Sequence, residues 1–398
     1  MITLQNADSA LKDYYLEAVT AQLNENLSPF FSAIEKNSAN VSGKDVKLTV
    51  LRGYAGGIVS GAEDADLPAP HKNRYAAISV PLKNLYGTIE ISDKALRASR
   101  DSEGAFINLL NAEMEGLVNS AKASFQRMLH GDGSGKLCAI VKKISNTEVQ
   151  VDDVKEYFAG MLVDCSNAMG LFAESSKGVM ISGVDMANST VIFETAVTSS
   201  LEGGYMYVHA SKDRELTGLS AIFDSGTIYG YDKSTDKYFA PYKVDCNHKL
   251  TESVLSDVLD HMEERYNSKI NFILCSYKTR KLIASLLDAN RRVVNTIDAR
   301  TGYGSVTVND VPVYADKYCP DDRILFLNTD DFGLYQLCDW EWLEDEDGKI
   351  LKQVAGKAAY SATLVKYAEL ICRKPCGQAM LYNVHPVNGT SPADGDGE

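Results

Sequence analysis

The sequence predicts an α+β protein of several folding units, and three observations carry that prediction. Apolar and polar residues alternate in short runs on either side of a long segment whose apolar residues recur at threes and fours. Residues 138–211 are a succession of strand-like runs divided by turn residues. The remainder alternates helix-like and strand-like segments. At roughly 100–200 residues per domain, 398 residues make about two to four units. With 45% hydrophobic and 24% charged residues the composition is globular, which excludes disordered and fibrous classes.

From residue 7 to about 36, Leu11, Tyr14, Tyr15, Val19 and Leu23 recur at helical spacing until Pro29 intervenes, which predicts an amphipathic arm formed as a broken helix. Alternation begins in Val46-Lys47-Leu48-Thr49-Val50-Leu51 and returns in Ala77-Ile78-Ser79-Val80-Pro81-Leu82 and Gly87-Thr88-Ile89-Glu90-Ile91, so these are strands. Residues 52–71 between them are rich in Gly, Pro and charge. A structureless loop of that length is rare inside a compact domain, and a two-stranded arm reaching outward is expected instead. An isolated hairpin is only marginally stable in water, so the arm should lie on another surface, that of a neighbouring subunit.

Residues 101–130 carry the clearest helical signal: Phe106, Leu109, Leu110, Met114, Leu117, Val118, Ala121, Phe125, Met128 and Leu129, with Asp101 and Ser102 as caps. About thirty residues make a rod of roughly 40 Å, well beyond the usual helix length, and such a rod braces something extended. Strand-like runs at 148–151, 160–164, 178–182, 190–193 and 205–208 predict a small sandwich or barrel inserted as its own unit. Downstream, helices near 251–266 and 277–289 with apolar runs at 270–274, 311–314 and 324–327 predict a mixed α+β unit. The acidic stretch 339–348 reads as a strand followed by an Asp-Gly hairpin turn, with Trp340 and Trp342 on one packed face. The tail after His385 is expected to be disordered.

Forty basic and 54 acidic side chains give a net charge of −14, which repels a phosphate backbone and argues against nucleic acid as a direct ligand. No run approaches about 18 uninterrupted apolar residues, and the first residues lack a basic region followed by an apolar stretch, so membrane spanning and classical secretion are disfavoured. The eight cysteines are scattered without disulfide spacing and read as reduced thiols in a cytoplasm.

The search for chemistry is negative. Gly131-Asp132-Gly133-Ser134-Gly135-Lys136-Leu137 is like a phosphate loop, but His130 and Leu137 stand where Gly and Ser or Thr are required, and the loop follows a helix instead of preceding one. It reads as a helix-ending turn. His71, His130, His209, His248, His261 and His385 include no metal-spaced pair, and Cys372-Arg373-Lys374-Pro375-Cys376 has no second cysteine pair to complete a zinc site. Cys246-Asn247-His248 gains no support as a dyad from adjacency alone, and neither acidic stretch completes a calcium loop. No catalytic, cofactor or metal residue is predicted. A long chain with a projecting arm, a brace helix and no catalytic constellation reads as a building block.

Leu85-Tyr86-Gly87-Thr88-Ile89-Glu90-Ile91-Ser92-Asp93-Lys94-Ala95-Leu96-Arg97-Ala98-Ser99 running into the 101–130 helix, Asn328-Thr329-Asp330-Asp331-Phe332, and the 340–352 hairpin together resemble the major capsid proteins of tailed bacteriophages. The likeness in element order covers nearly the whole chain. It implies an N-terminal arm at 1–45, an extended loop at 46–91, a spine helix with peripheral domain at 92–137, an inserted β-barrel-like domain at 138–211, an axial domain with returning peripheral strands at 212–370, and a C-terminal segment and tail at 371–398.

The resemblance further implies a structural protein without enzymatic activity that self-assembles into hexamers and pentamers. These would form an icosahedral virion shell, assembled in the host bacterial cytoplasm around DNA that is enclosed without specific binding. Expected partners are further copies of the chain, a separate scaffold protein because the chain begins directly with the arm, a portal and decoration proteins. No cofactor, metal or membrane is expected. The extended loop would supply the subunit interface through Arg52, Gly56, Gly57, Glu63, Asp64, Asp66, Lys72 and Arg74. Lys44 and Lys72 lie near it, yet no motif singles out a crosslinking partner. Two alternatives stand beside this one: an encapsulin-like bacterial compartment, and a phosphate- or nucleotide-binding enzyme using Gly131–Lys136.

Overall fold

The computed structural model describes residues 28–53, 60, 72–94, 103–247, 249–289, 296–297 and 304–384. The predicted helix before residue 28, the tip of the loop, Asp101, Ser102 and the C-terminal tail lie outside them. Pro29 heads the helix Pro29–Ala33, whose first turn is capped by the Ser28 hydroxyl accepting from the Phe31 N–H at 3.1 Å. Phe30 and Phe31 are driven into the chain's own core, edge-on to Phe332 and Phe125 at 5.2 and 5.4 Å. The chain then adds a parallel edge strand, Glu35–Asn37, so this part of the expected arm is built into its own subunit.

The main sheet is centred on Ala359–Cys372. One edge of that strand pairs antiparallel with Phe332–Trp342 and with Lys352–Gln353, the other with Lys83–Ser92. The expected 340–352 hairpin forms only its turn, in which the Gly348 N–H donates to the Asp345 carbonyl at 3.0 Å. The returning strand does not fold back on its neighbour, because Ala359–Cys372 is long enough to pair with both in line. Trp340 and Trp342 do share a buried face.

The helix Glu103–His130 packs on this sheet through Met114, Val118, Phe125 and Leu129. Its 28 residues span about 42 Å, as the periodicity requires.

Residues 136–208 close into a six-stranded barrel in the order Thr190–Phe193, Glu148–Val151, Lys136–Lys143, Tyr205–Val208, Leu162–Cys165, Val179–Asp185. Alternate residues, among them Ile140, Val149, Val163, Ile181, Val191 and Met206, fill its interior. Five of the strands fall on the runs read from the sequence; the first, Lys136–Lys143, lies where Leu137-Cys138-Ala139-Ile140-Val141 is continuously apolar in sequence.

The last unit is a seven-stranded mixed sheet with the helices Glu252–Tyr266 and Tyr277–Ala289. Its strand Phe272–Cys275 is buried at every position, since alternate residues serve different cores. Phe272 and Leu274 join the core of the main sheet, while Ile273 and Cys275 meet Leu255, Val258, Met262 and Ile283 of the helices.

Candidate assembly surface

The stem of the loop is the ladder of Asp45–Gly53 with Arg74–Pro81. A period of two divides it cleanly. Val46, Leu48, Val50, Ala76 and Ile78 are buried in the chain's own core, with Val46 opposite Val80, Leu48 opposite Ile78 and Val50 opposite Ala76. Lys47, Thr49, Leu51, Tyr75, Ala77 and Ser79 form the opposite, solvent-facing side, on which Tyr75 is 60% exposed. The surface expected from a neighbour is thus supplied in part by the chain itself.

Residues 227–240 provide that support. Tyr231 donates its hydroxyl to the Ala77 carbonyl at 2.8 Å, and Phe239 stacks on Tyr231 at 4.1 Å. Arg52 pairs with Asp236 and lies 6.0 Å from the ring centres of Tyr238 and Phe239. Of the expected interface residues, Arg52 is therefore engaged within its own chain, while Lys72 and Arg74 stand exposed at the outer end of the stem. Gly56, Gly57, Glu63, Asp64 and Asp66 lie outside the described residues.

Where the long helix meets the barrel, polar groups unmarked in the sequence converge. Arg127 donates to both carboxylate oxygens of Glu215, one bond measuring 2.8 Å, although 88 residues separate them. His130 approaches Asp316 at 3.2 Å. Burial alone would raise the Asp316 carboxyl, but His130, the Tyr318 N–H and the Ser28 hydroxyl outweigh it and hold the group below the ordinary range. No local motif announces such pairs, since only the fold brings residues 127, 215 and 316 together.

The Gly131–Lys136 segment is indeed a helix-ending turn. The Gly131 N–H donates to the Arg127 and Met128 carbonyls, both at 3.1 Å. The Ser134 N–H, which a phosphate would require, already donates to Asp132 at 2.9 Å. Lys136 lies over the Tyr205 ring at 4.2 Å. A carboxylate thus occupies the loop and its lysine is stacked on an aromatic face, an arrangement unsuited to cradling an anion.

Of the histidines, His209 pairs with Asp164 at 2.7 Å and His261 stacks on Tyr242 at 4.1 Å. The cysteines are all free, and burial pushes the Cys376 thiol up to about 11. Among the described residues no group of His, Cys, Asp and Glu could hold a metal ion, and no helix is long and apolar enough to cross a membrane.

No family model matches the chain, and no curated protein does. Solved structures do. The capsid asymmetric unit of cyanophage A-1(L) aligns at a TM-score of 0.52 and 12% identity, covering 90% of this chain and 93% of that one. The capsid of the native GTA particle follows at 0.49 and 12%, covering 92% and 91%. The holo-SrpI encapsulin complex of Synechococcus elongatus PCC 7942 stands at 0.47 and 12%, covering 92% of each. The first of these shows that the chain has the fold of a phage capsid subunit, an α+β fold.

Proposed function

We propose that this chain is the major capsid protein of a tailed bacteriophage, a structural subunit that assembles with copies of itself into an icosahedral shell of hexamers and pentamers. The observation that carries the reading is the match to the cyanophage capsid chain over nine-tenths of both chains. Glu103–His130 is then the spine helix and the main sheet the peripheral domain. The seven-stranded sheet is the axial domain, and residues 46–91 are the extended loop. The barrel is an insertion into that plan.

In this role the solvent-facing side of the stem, with Tyr75, Lys72 and Arg74, meets the next subunit, together with Gly56, Gly57, Glu63, Asp64 and Asp66 further along the loop. Arg52 anchors the stem from within. Exposed charge pairs contribute only about 0–1 kcal/mol each, so these residues set registration while buried apolar area supplies cohesion. A scaffold, a portal and decoration proteins complete the particle, which assembles in the host cytoplasm. Enclosed DNA meets an acidic wall of net charge −14 per subunit and is not held tightly. The role requires no enzymatic activity.

Deletion of residues 55–71 tests the assignment of the loop. The shortened chain is expected to keep its thermal unfolding transition and to lose closed shells under electron microscopy. Normal particles from that variant would refute the loop's part in assembly.

A further inference from the structure

The barrel joins the rest of the molecule through two connectors that run side by side. The entering segment, 131–135, and the leaving one, 209–218, are tied by the Asp213 N–H donating to the Ser134 carbonyl at 2.9 Å. Gly135, at φ +76°, leaves only 2.7 Å between an added Cβ and the Ser211 carbonyl oxygen, so the two backbones touch. Among the described residues the barrel strands pair only with one another, and their apolar core is separate from both others. This is a neck with a self-contained unit on its end.

Beyond the neck, the barrel meets the molecule across two clefts. One, of about 470 Å³, lies between the end of the long helix and the barrel; the other, of about 360 Å³, lies between residues 153–156 and the loop 317–322. The contacts spanning them are polar. Lys155 reaches Asp321 at 3.4 Å, both side chains being exposed. Glu156 borders both clefts, its Oε2 buried 4.0 Å from Arg127 Nε and without a hydrogen-bond partner among the described residues.

We infer that the barrel is hinged on this neck and seated against the end of the long helix and the 317–322 loop with the Glu156 carboxyl shut into the seam, so that ionisation of this one carboxyl unseats it. The device belongs to the single chain and holds whether or not the chain assembles. Facing Glu156 from the long helix are Arg127 and, in the same cleft, His130; from the connectors, Glu215 and Asp132; and from the start of the first barrel strand, Lys136. Asp153, Tyr157 and Cys138 face it from the barrel, and Lys317 and Tyr318 from the loop, with Asp224 on the far wall.

Burial pushes the Glu156 carboxyl from 4.5 up to about 7; Arg127 opposes the shift, already committed to Glu215, and Asp153 and Glu215 add to it. A raised carboxyl favours the seated form at low pH. That preference is complete below about 4.5 and is lost as pH rises through about 7. Opening should therefore become about tenfold more populated between pH 6 and pH 8.

Hydrogen exchange on the unassembled full-length chain reads this directly, once intrinsic exchange rates are divided out. In the wild type, protection of residues 153–157 and 317–322 is expected to fall about tenfold from pH 6 to pH 8. Glu156→Gln should hold its pH 6 protection at pH 8, while Glu194→Gln, on an exposed barrel carboxylate, should behave as wild type. An unchanged wild type, or a tenfold fall that persists in Glu156→Gln, overturns the inference. If Glu156→Gln does not fold, the wild type decides. A loss confined to these two segments, with the strand Val179–Asp185 still protected, upholds the hinge, and a uniform loss across the barrel refutes it.

Discussion

Glu369 is fully buried on the central strand, where its Oε1 accepts from the Thr217 N–H at 2.7 Å and from its neighbour Leu370 at 3.1 Å. Its Oε2 has no partner among the described residues, and burial pushes the carboxyl up to about 7 despite those bonds and the charge of Lys83. Because this folded-state value is raised, the stability it contributes is present at low pH and is lost as pH rises through about 7. Urea unfolding at pH 5 and pH 8 should show the wild type losing roughly 1–3 kcal/mol more over that interval than Glu369→Gln. Equal losses would mean that the carboxylate finds relief in the folded state. Nothing in the sequence marks Glu369: it stands in Tyr367-Ala368-Glu369-Leu370-Ile371, where alternation alone would place a charge on a solvated face. Trp340 and Trp342 were legible because their partners face a single sheet side, whereas Glu369 is covered on its polar side by a connector 152 residues away.

Among the elements, the helix Glu103–His130 and the stem strands were legible because a period of 3.6 or 2 is a property of the element itself. Partnership is a property of the fold, and there the sequence misleads: Lys352–Gln353 pairs with a strand that follows it. The stem's expected neighbour proved in part to be residues 227–240 of the same chain, a segment too irregular to show any period. The neck is another such case. Gly218, at the start of the helix Leu219–Phe223, passes so close to the end of the long helix that an added Cβ would fall within 2.7 Å of the carbonyl oxygens of Met128, Leu129 and Gly131. Those atoms are backbone and cannot step aside. Gly218→Ala is therefore expected to cost about 2–4 kcal/mol, read as a lowered denaturation midpoint, and an unchanged midpoint would show that the two segments can separate.

At the scale of the whole molecule, three cores on one chain explain both its length and its shape. The barrel folds around its own interior, while the stem and the long helix are braced only on one side and leave a ladder face with Tyr75 and Leu51 to solvent. In the proposed role this is the face that meets the next subunit. The order of its elements was legible from the 85–99 segment entering the helix and from the strand-rich insertion. The loop tip, where most of the expected interface residues lie, is outside the described residues and rests on the assembly reading alone. The most direct test of that reading is electron microscopy with sedimentation on the purified chain, alone and with co-expressed scaffold. Closed shells built from rings of five and six subunits are the expected result. A chain that stays monomeric under every condition would contradict the account.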